Sequence, residues 1–589
     1  MQDSSSYYKQ NISTYKAEIS KIYKQLTGLS TARLLVFIAT IIGVYFTFNN
    51  WQIALSFALI GIVSFLYLLS KHTNLKTKYK LKKALLSINE EEIKIGSGDF
   101  FHRNAGLEFQ DPKHHYALDI DLFGRGSFFQ FINRTATNIG ALSLANTLKA
   151  NAIKTIEKRQ EVIKDLSLKT DWRQSFQATA NLIEVQTKPN QIVKWLNEHK
   201  SFMPKFFKWI PLIFSIASIV IIILGITKVI PIAYAGYWLF VGFAITGRFL
   251  KKTNDLAKNT SKIRDTFRQY ALLLKAIETE TFTSEILKEK QQKIQLEGKK
   301  ASTILSNLSS AMDALDNRNN MIGLIFGNGY FLTDVKNSFT IDQWIETYKS
   351  KVEDWFEVVT FFDTYNSLGN YAFNHSHYVY PKILNQGETT AVKNLGHPLL
   401  KLEKRIDNNF EIDGEQFFII TGANMAGKST FLRTVSLHIV MANIGLPVCA
   451  ESSEYVPVKL ITSMRTSDSL TDDSSYFFSE LTRLKYIVDA IETDNYFIIL
   501  DEILKGTNST DKAIGSRKFV EKLVASNATG IIATHDLSLC EIEKELKEVK
   551  NYYFDAQIIN DELYFDYTFK KGICQNMNAS FLLKKMEIV

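Results

Sequence analysis

The run Gly422-Ala-Asn424-Met425-Ala-Gly427-Lys428-Ser429-Thr430 is where this sequence is best equipped to do chemistry. It fits G-x-x-x-x-G-K-[ST], in which glycines let backbone amides approach phosphate, the lysine reaches the terminal phosphates and the hydroxyl holds Mg2+. A nucleoside triphosphate is the expected ligand. A second run, the apolar stretch 496–500 ending in Asp501-Glu502, supplies carboxylates. Asp501 would join the Mg2+ shell, and Glu502 would orient or deprotonate an attacking water. An Asp-Glu pair at a strand end is also a common helix N-cap. Beside a phosphate loop, catalysis is the stronger reading.

Those residues need a strand, a loop and a helix in that order. Residues 416–421 form an apolar strand-like run, and Ser429 opens a helical pattern through Phe431, Leu432, Val435 and Ile439. A helix N-terminus at that point would add partial positive charge to the anion site.

At 589 residues the chain has room for several domains, and its net charge of +8 suits anionic partners such as nucleic acid or lipid headgroups. Cys449, Cys540 and Cys574 lack the spacing of a metal site or a disulfide framework, so reduced thiols packed in a core are expected. Two pairs of uncharged apolar runs stand out, at 34–48 with 53–69 and at 209–226 with 230–246. Each is near the lower limit of the ~17 to 25 residues that span hydrocarbon. Buried core helices are the alternative, and two hairpins weaken it. Lys21, Lys24 and Arg33 precede the first pair and Lys71, Lys76, Lys78, Lys80, Lys82 and Lys83 follow it; Lys205, Lys208, Arg248, Lys251 and Lys252 flank the second. The positive-inside rule then puts the large hydrophilic segments on the cytoplasmic side of an inner or cytoplasmic membrane crossed several times. The polar first 30 residues lack the apolar core of a cleaved signal peptide. The Lys71 to Lys83 cluster reads as a topology determinant with headgroup attraction, and a lipid or DNA contact is the sharper alternative.

Between these landmarks helical spacing dominates. Residues 255–315 suit long amphipathic helices or a helical hairpin, Gly327-Asn-Gly329 is expected to break the pattern, and 341–375 resumes it. Strand-rich sequence is expected from 416 onward, ending with strands at 552–559 and 562–568.

Several stretches resemble the MutS family, mismatch-recognition ATPases built on an ABC-type nucleotide-binding fold. Thr421 to Thr430 is close to T-G-P-N-M-G-G-K-S-T, including the Asn424-Met425 pair; Asp501 to Asp511 follows D-E-I-G-R-G-T-S-T-x-D; Ala533-Thr-His535 matches A-T-H; and Ser467-Asp468 through Ser474-Ser475-Tyr476-Phe477 to Glu480-Leu481 resembles S-D-x-L…S-T-F-x-x-E-M. Upstream, Asn133-Arg134-Thr135-Ala-Thr137-Asn-Ile-Gly140, Ile156 to Val162, the stretch 363–372 and Gly396-His397-Pro398 are similar to the family's core and lever segments.

The resemblance implies ATP and Mg2+ as cofactors, with Gly422, Asn424, Met425, Gly427, Lys428, Ser429 and Thr430 on the nucleotide, Ser429 and Asp501 on the metal, and Glu502 and His535 in catalysis. It implies that Ser474 reaches the nucleotide of a second copy, so that the chain works as a homodimer through its ATPase domains. Asp511 is carried over with a helix cap as its alternative. The implied fold is α/β: an ABC-type P-loop ATPase domain at 391–589, preceded by a mainly helical MutS-like core and lever at 118–390 that a transmembrane hairpin interrupts at 209–248. A cytoplasmic N-terminal helix at 1–32, a transmembrane hairpin at 33–70 and a basic linker at 71–117 come first.

Nothing resembles the family's mismatch-reading domain with its Phe-x-Glu wedge, since Phe478-Ser-Glu480 lies inside the ATPase segment. The clamp candidate 255–315 is short, little of the family's terminal helix-turn-helix is matched before Val589, and Ala423 and Lys512 stand where Pro and Gly are usual. Three functions are therefore weighed: a membrane-tethered, ATP-dependent DNA-binding switch of mismatch-repair type, contacting the DNA backbone; a membrane-remodelling or scaffold ATPase indifferent to DNA; and an ABC-type transporter. The last ranks lowest, because the sequence lacks L-S-G-G-Q and the apolar runs carry no charged residue to mark a substrate path. ATP is the only small-molecule substrate expected.

Overall fold

The computed structural model describes residues 4–575 except 186, 297, 317–320, 466–475, 506 and 560–561. A six-stranded sheet organises the C-terminal part, in the order Lys570–Lys571, Val549–Phe554, Phe417–Gly422, Thr529–Ala533, Tyr496–Asp501, Lys459–Ser463. Every neighbouring pair is parallel except the one at the Lys570–Lys571 edge. Phe417 to Ile420 and Ile498 to Leu500 are buried without alternation, because helices cover both faces of a parallel sheet. Helix Lys428–Ile444 packs on one face, where Leu432 and Val435 meet Phe418 and Ile420; Leu484, Val520 and Leu523 cover the other. All three cysteines are buried.

Strands begin earlier than the sequence suggests. A second, four-stranded sheet in the order Lys382–Ile383, Ser452–Tyr455, Thr390–Leu395, Asn408–Ile412 takes three of its strands from before residue 416. The expected strand 552–559 is two elements, Val549–Phe554 in the main sheet and Gln557–Ile559 paired with Glu562–Tyr564. The break falls at Asp555, whose carboxylate accepts the Ala556 amide at 2.9 Å in place of a ladder bond.

The helical part is built on the 42-residue helix Thr333–Asn374, against which Leu250–Thr279 and Ala301–Asp316 pack as a hairpin around Phe267, Tyr270, Trp355 and Phe362. Its C-terminal half brings together two stretches far apart in sequence. Asp363 accepts the amides of Ala136 and Thr137 at 2.8 and 2.9 Å, and a Cβ on Gly140 would lie 2.1 Å from its carboxylate. Burial pushes the Asp363 carboxyl up to about 6 against those bonds. The expected break at Gly327-Asn-Gly329 is corrected: these residues lie inside helix Met321–Phe331. Gly329 there allows a close approach to the helix Ala233–Gly247, since a Cβ on Gly242 would meet the Gly329 carbonyl at 2.2 Å.

At the N-terminus, helices Ser4–Thr47 and Trp51–Gly96 run antiparallel, joined at Asn50, whose side chain caps the second helix. The supposed linker is likewise corrected as far as residue 96, which ends the second helix. One of its lysines is paired, Lys82 with Glu18 at 2.8 Å, while Leu85 and Ile88 pack on Ala178. The base of this pair is fixed by a buried carboxylate. Glu92 accepts Arg134 Nε at 2.5 Å, Asn374 Nδ2 at 2.9 Å and Asn370 Nδ2 at 3.1 Å. Further out, Phe37, Phe46, Trp51 and Ile60 are exposed. These two helices are long and apolar enough to cross a membrane; Ile210–Ile226 and Ala233–Gly247, at 17 and 15 residues, are shorter, so length supports two of the four expected spans.

Candidate functional site

Parallel strands deliver their loops to one edge of the sheet, which is where a ligand site forms in such folds. Gly422, Asp501 and Ala533 end three adjacent strands there. The loop 423–427 leaves Gly422 at φ +154°, where a Cβ would meet the Phe554 carbonyl at 2.6 Å. Gly427, at φ +103°, caps helix Lys428–Ile444. Lys428 folds back under this loop, donating to the carbonyls of Gly422 at 2.8 Å and Ala423 at 3.1 Å. Burial lowers its pKa, and the charges of Glu502 and Asp501 act against that shift.

Ser429 Oγ donates to Asp501 Oδ2 at 2.6 Å, across from strand to helix. Burial raises the Asp501 pKa, with the Ser429 bond opposing it. Glu502 sits at φ +49°, its amide bonded to Ala533 O at 2.9 Å and its Oε1 2.9 Å from His535 Nε2. That bond, partly offset by burial, pulls the Glu502 carboxyl down to about 2. The same His535 nitrogen lies 3.3 Å from Lys428 Nζ. The nitrogen that donates to Glu502 cannot also accept from Lys428, so the Glu502 contact, the shorter of the two, is the hydrogen bond.

Asn424, Met425 and Thr430 are exposed on the rim of a cavity of about 640 Å³ that runs along the loop. Its opposite wall is Leu395, His397, Leu400, Ile406 and Tyr567. Sequence reasoning noticed the Gly396-His397-Pro398 turn without placing it here, and it missed Tyr567. Burial pushes His397 down to about 4, so the ring is neutral at pH 7. Glu480 was quoted only as part of a motif; it is buried and accepts the amides of Leu504 at 2.6 Å and Lys505 at 3.0 Å. Asp511 lies in the first turn of Ser509–Ala525, where Asn508 caps its amide. Ser474, with Ser467 and Asp468, lies outside the described residues.

A strand, glycine-rich loop and helix thus stand beside a strand-end carboxylate pair in this α/β domain. Residues 418–585 match the family model described as MutS domain V. The likeness to the MutS family is thus carried by this C-terminal domain. The chain is 35% identical over 225 residues to MutS protein homolog 4 of Homo sapiens, covering 36% of this chain and 23% of that protein. It is 36% identical over 188 residues to the DNA mismatch repair protein MutS of Chloroflexus aurantiacus, covering 30% of this chain and 19% of that one. The same-named protein of Fusobacterium nucleatum is 34% identical over 189 residues, covering 31% and 21%. The matched region thus spans about a fifth to a quarter of these relatives.

Proposed function

We propose that this chain is a membrane-tethered ATPase of MutS type that binds and hydrolyses ATP between two copies of its C-terminal domain and uses the cycle to move the helix Thr333–Asn374 and so control contact with DNA. The observation that carries this reading is the 2.6 Å bond between Ser429 and Asp501, with Lys428, Glu502 and His535 gathered on the same sheet edge. A hydroxyl and a carboxylate oxygen so placed fit Mg2+, which prefers hard oxygen ligands. When bound, that ion supplies charge neutralisation for the phosphates. The chain's own groups do the rest. Loop amides and the helix N-terminus hold phosphate, and Lys428 supplies a cation from a buried position. A carboxylate held at about 2 is a weak base, so Glu502 acts chiefly by orienting the attacking water as an acceptor. His535 keeps it ionised and aimed.

Ser474 of a second copy completes the site, and the phosphate backbone of DNA is the expected contact, with salt-sensitive affinity. The basic flanks of the apolar helices support a cytoplasmic C-terminal domain. A second reading, in which the motion acts on lipid and DNA is irrelevant, draws support from the direct run of Met321–Phe331 into Thr333–Asn374. The deciding experiment is ATP hydrolysis by the detergent-purified chain with duplex, mismatched and branched DNA or with phospholipid, beside Glu502→Ala. Stimulation by DNA that vanishes in the variant supports the first reading. A response to lipid alone overturns it in favour of the second, and hydrolysis by Glu502→Ala at the parent rate removes both.

A further inference from the structure

Helix Met321–Phe331 was no candidate for a membrane contact by sequence, being 11 residues long and glycine-interrupted. It nevertheless joins the second apolar hairpin in a three-helix cluster. Phe214 and Trp238 stack at 4.7 Å between the hairpin's two helices, and Trp238 Nε1 donates to Ser218 at 2.7 Å. The third helix closes on them through Gly242 and Gly329, whose missing side chains let backbone meet backbone, and Tyr330 donates to Ala235 O at 3.2 Å. Small residues at such contacts are how apolar helices associate within lipid.

The outer surface of this cluster is apolar on every helix. Ile216 is 55% exposed, Phe240 69%, Phe326 53% and Met321 74%, and the three helices contain no charged residue. A protein partner would cover one face, whereas exposure shared by all three helices calls for an occupant that surrounds them. Lys205, Lys208, Lys251, Lys252 and Lys336 flank the helix ends, complementing anionic headgroups. At 1.5 Å per residue the third helix is about 16 Å long, too short to cross.

We infer that Met321–Phe331 is a lipid-contacting helix that completes, with Ile210–Ile226 and Ala233–Gly247, a second membrane module built of anionic-bilayer-facing surface. This deepens the membrane-tethered reading above and rests on it. The consequence is mechanical. Only Leu332, buried and at φ +49°, separates this helix from Thr333–Asn374, and Asn328 Oδ1 accepts the Asp334 amide at 2.9 Å across that joint. The long helix would therefore be planted in lipid at one end and hold Glu92 through Asn370 and Asn374 at the other.

The test uses the full chain reconstituted in vesicles of phosphatidylcholine and phosphatidylglycerol. A nitrobenzoxadiazole label is placed on Phe326→Cys, and separately on Met321→Cys in case the first folds poorly. The native cysteines are buried. Ile60→Cys on the first hairpin and Leu168→Cys, 87% exposed in the helical part, are the references. Expected are a blue shift and loss of emission with brominated lipid at 326 and 321, relative to 168. Iodide quenching at 326 and 321 equal to that at 168, with 60 still quenched by brominated lipid, would overturn the inference and leave the tether standing. Aqueous behaviour at 60 as well would remove both.

Discussion

The carboxylate of Glu480 accepts the backbone amide of Leu504 at 2.6 Å, joining the first turns of helix Tyr476–Ile491 to the loop that follows Glu502. Glu502 and Leu504 both sit at positive φ, a conformation that costs side-chain-bearing residues about 1–3 kcal/mol unless neighbours hold it. Glu480 is such a neighbour, and Lys505 gives it a second amide at 3.0 Å.

Replacing Glu480 by Ala should therefore release this loop without touching the phosphate loop. Nucleotide affinity is expected to stay near the parent value while turnover falls on the order of 10- to 100-fold, the scale of a misplaced catalytic group. Equilibrium binding of a fluorescent nucleotide beside steady-state turnover checks the split. An equal loss of both would make Glu480 a general structural residue.

The bond between Glu502 and His535 sets a pH signature. It holds the carboxyl at about 2 from an ordinary 4.5. A depressed folded pKa means that the stabilisation of the ionised form is present above 4.5 and is lost as pH falls through 2. Hydrolysis by the parent should show no loss from Glu502 protonation between pH 5 and 8. In His535→Ala the acid limb should move up toward 4.5, visible in single-turnover rates taken down to pH 4.5. Profiles that superimpose would deny His535 this part.

How much of this was readable beforehand depends on how local each signal is. Gly422, Lys428, Ser429, Asp501, Glu502 and His535 could be gathered because strand, loop and helix signatures are written in short runs, and parallel strands bring their ends to one edge. His397, Tyr567 and Glu480 could not be placed the same way, because their positions follow from sheet register and packing between distant segments. Residues 71–96 were misread because a high density of lysine looks like a solvated linker. Only the pairing of Lys82 with Glu18 across the hairpin, and the burial of Leu85 and Ile88, reveal a packed helix. The break expected at Gly327 and Gly329 failed for a related reason: glycine there serves helix contact, which propensity alone does not see.

The Glu92–Arg134 pair should be the weak point of the hairpin's attachment. Both side chains are buried, and the Arg134 charge and bonds overcome burial to keep the Glu92 carboxyl below its usual range. Glu92→Ala leaves a buried guanidinium without its carboxylate, at a cost of roughly 3–5 kcal/mol. Earlier thermal unfolding and faster proteolysis near residue 97 are expected. Glu92→Met with Arg134→Leu should recover much of that loss, because removing both charges also removes the desolvation penalty. A double variant as unstable as the single one would place the stability in the Asn370 and Asn374 contacts instead.

Gly422 and Met425 sit three residues apart in one loop and should respond oppositely to substitution. A Cβ on Gly422 would lie 2.6 Å from the Phe554 carbonyl, a backbone atom of the neighbouring strand that cannot swing away. Gly422→Ala must therefore displace the loop or the strand, and with it the carbonyl that receives Lys428. Nucleotide affinity should fall at least tenfold, about 1.4 kcal/mol or more. Met425 already holds φ +67° with a side chain that is 77% exposed, so Met425→Ala removes little folded-state contact. Its affinity for nucleotide should stay within about threefold of the parent and its melting within about 0.5 kcal/mol, the range of ordinary surface changes. Titration with a fluorescent nucleotide separates the two, and a Gly422→Ala protein that binds as the parent does would show that this loop does not hold the phosphates.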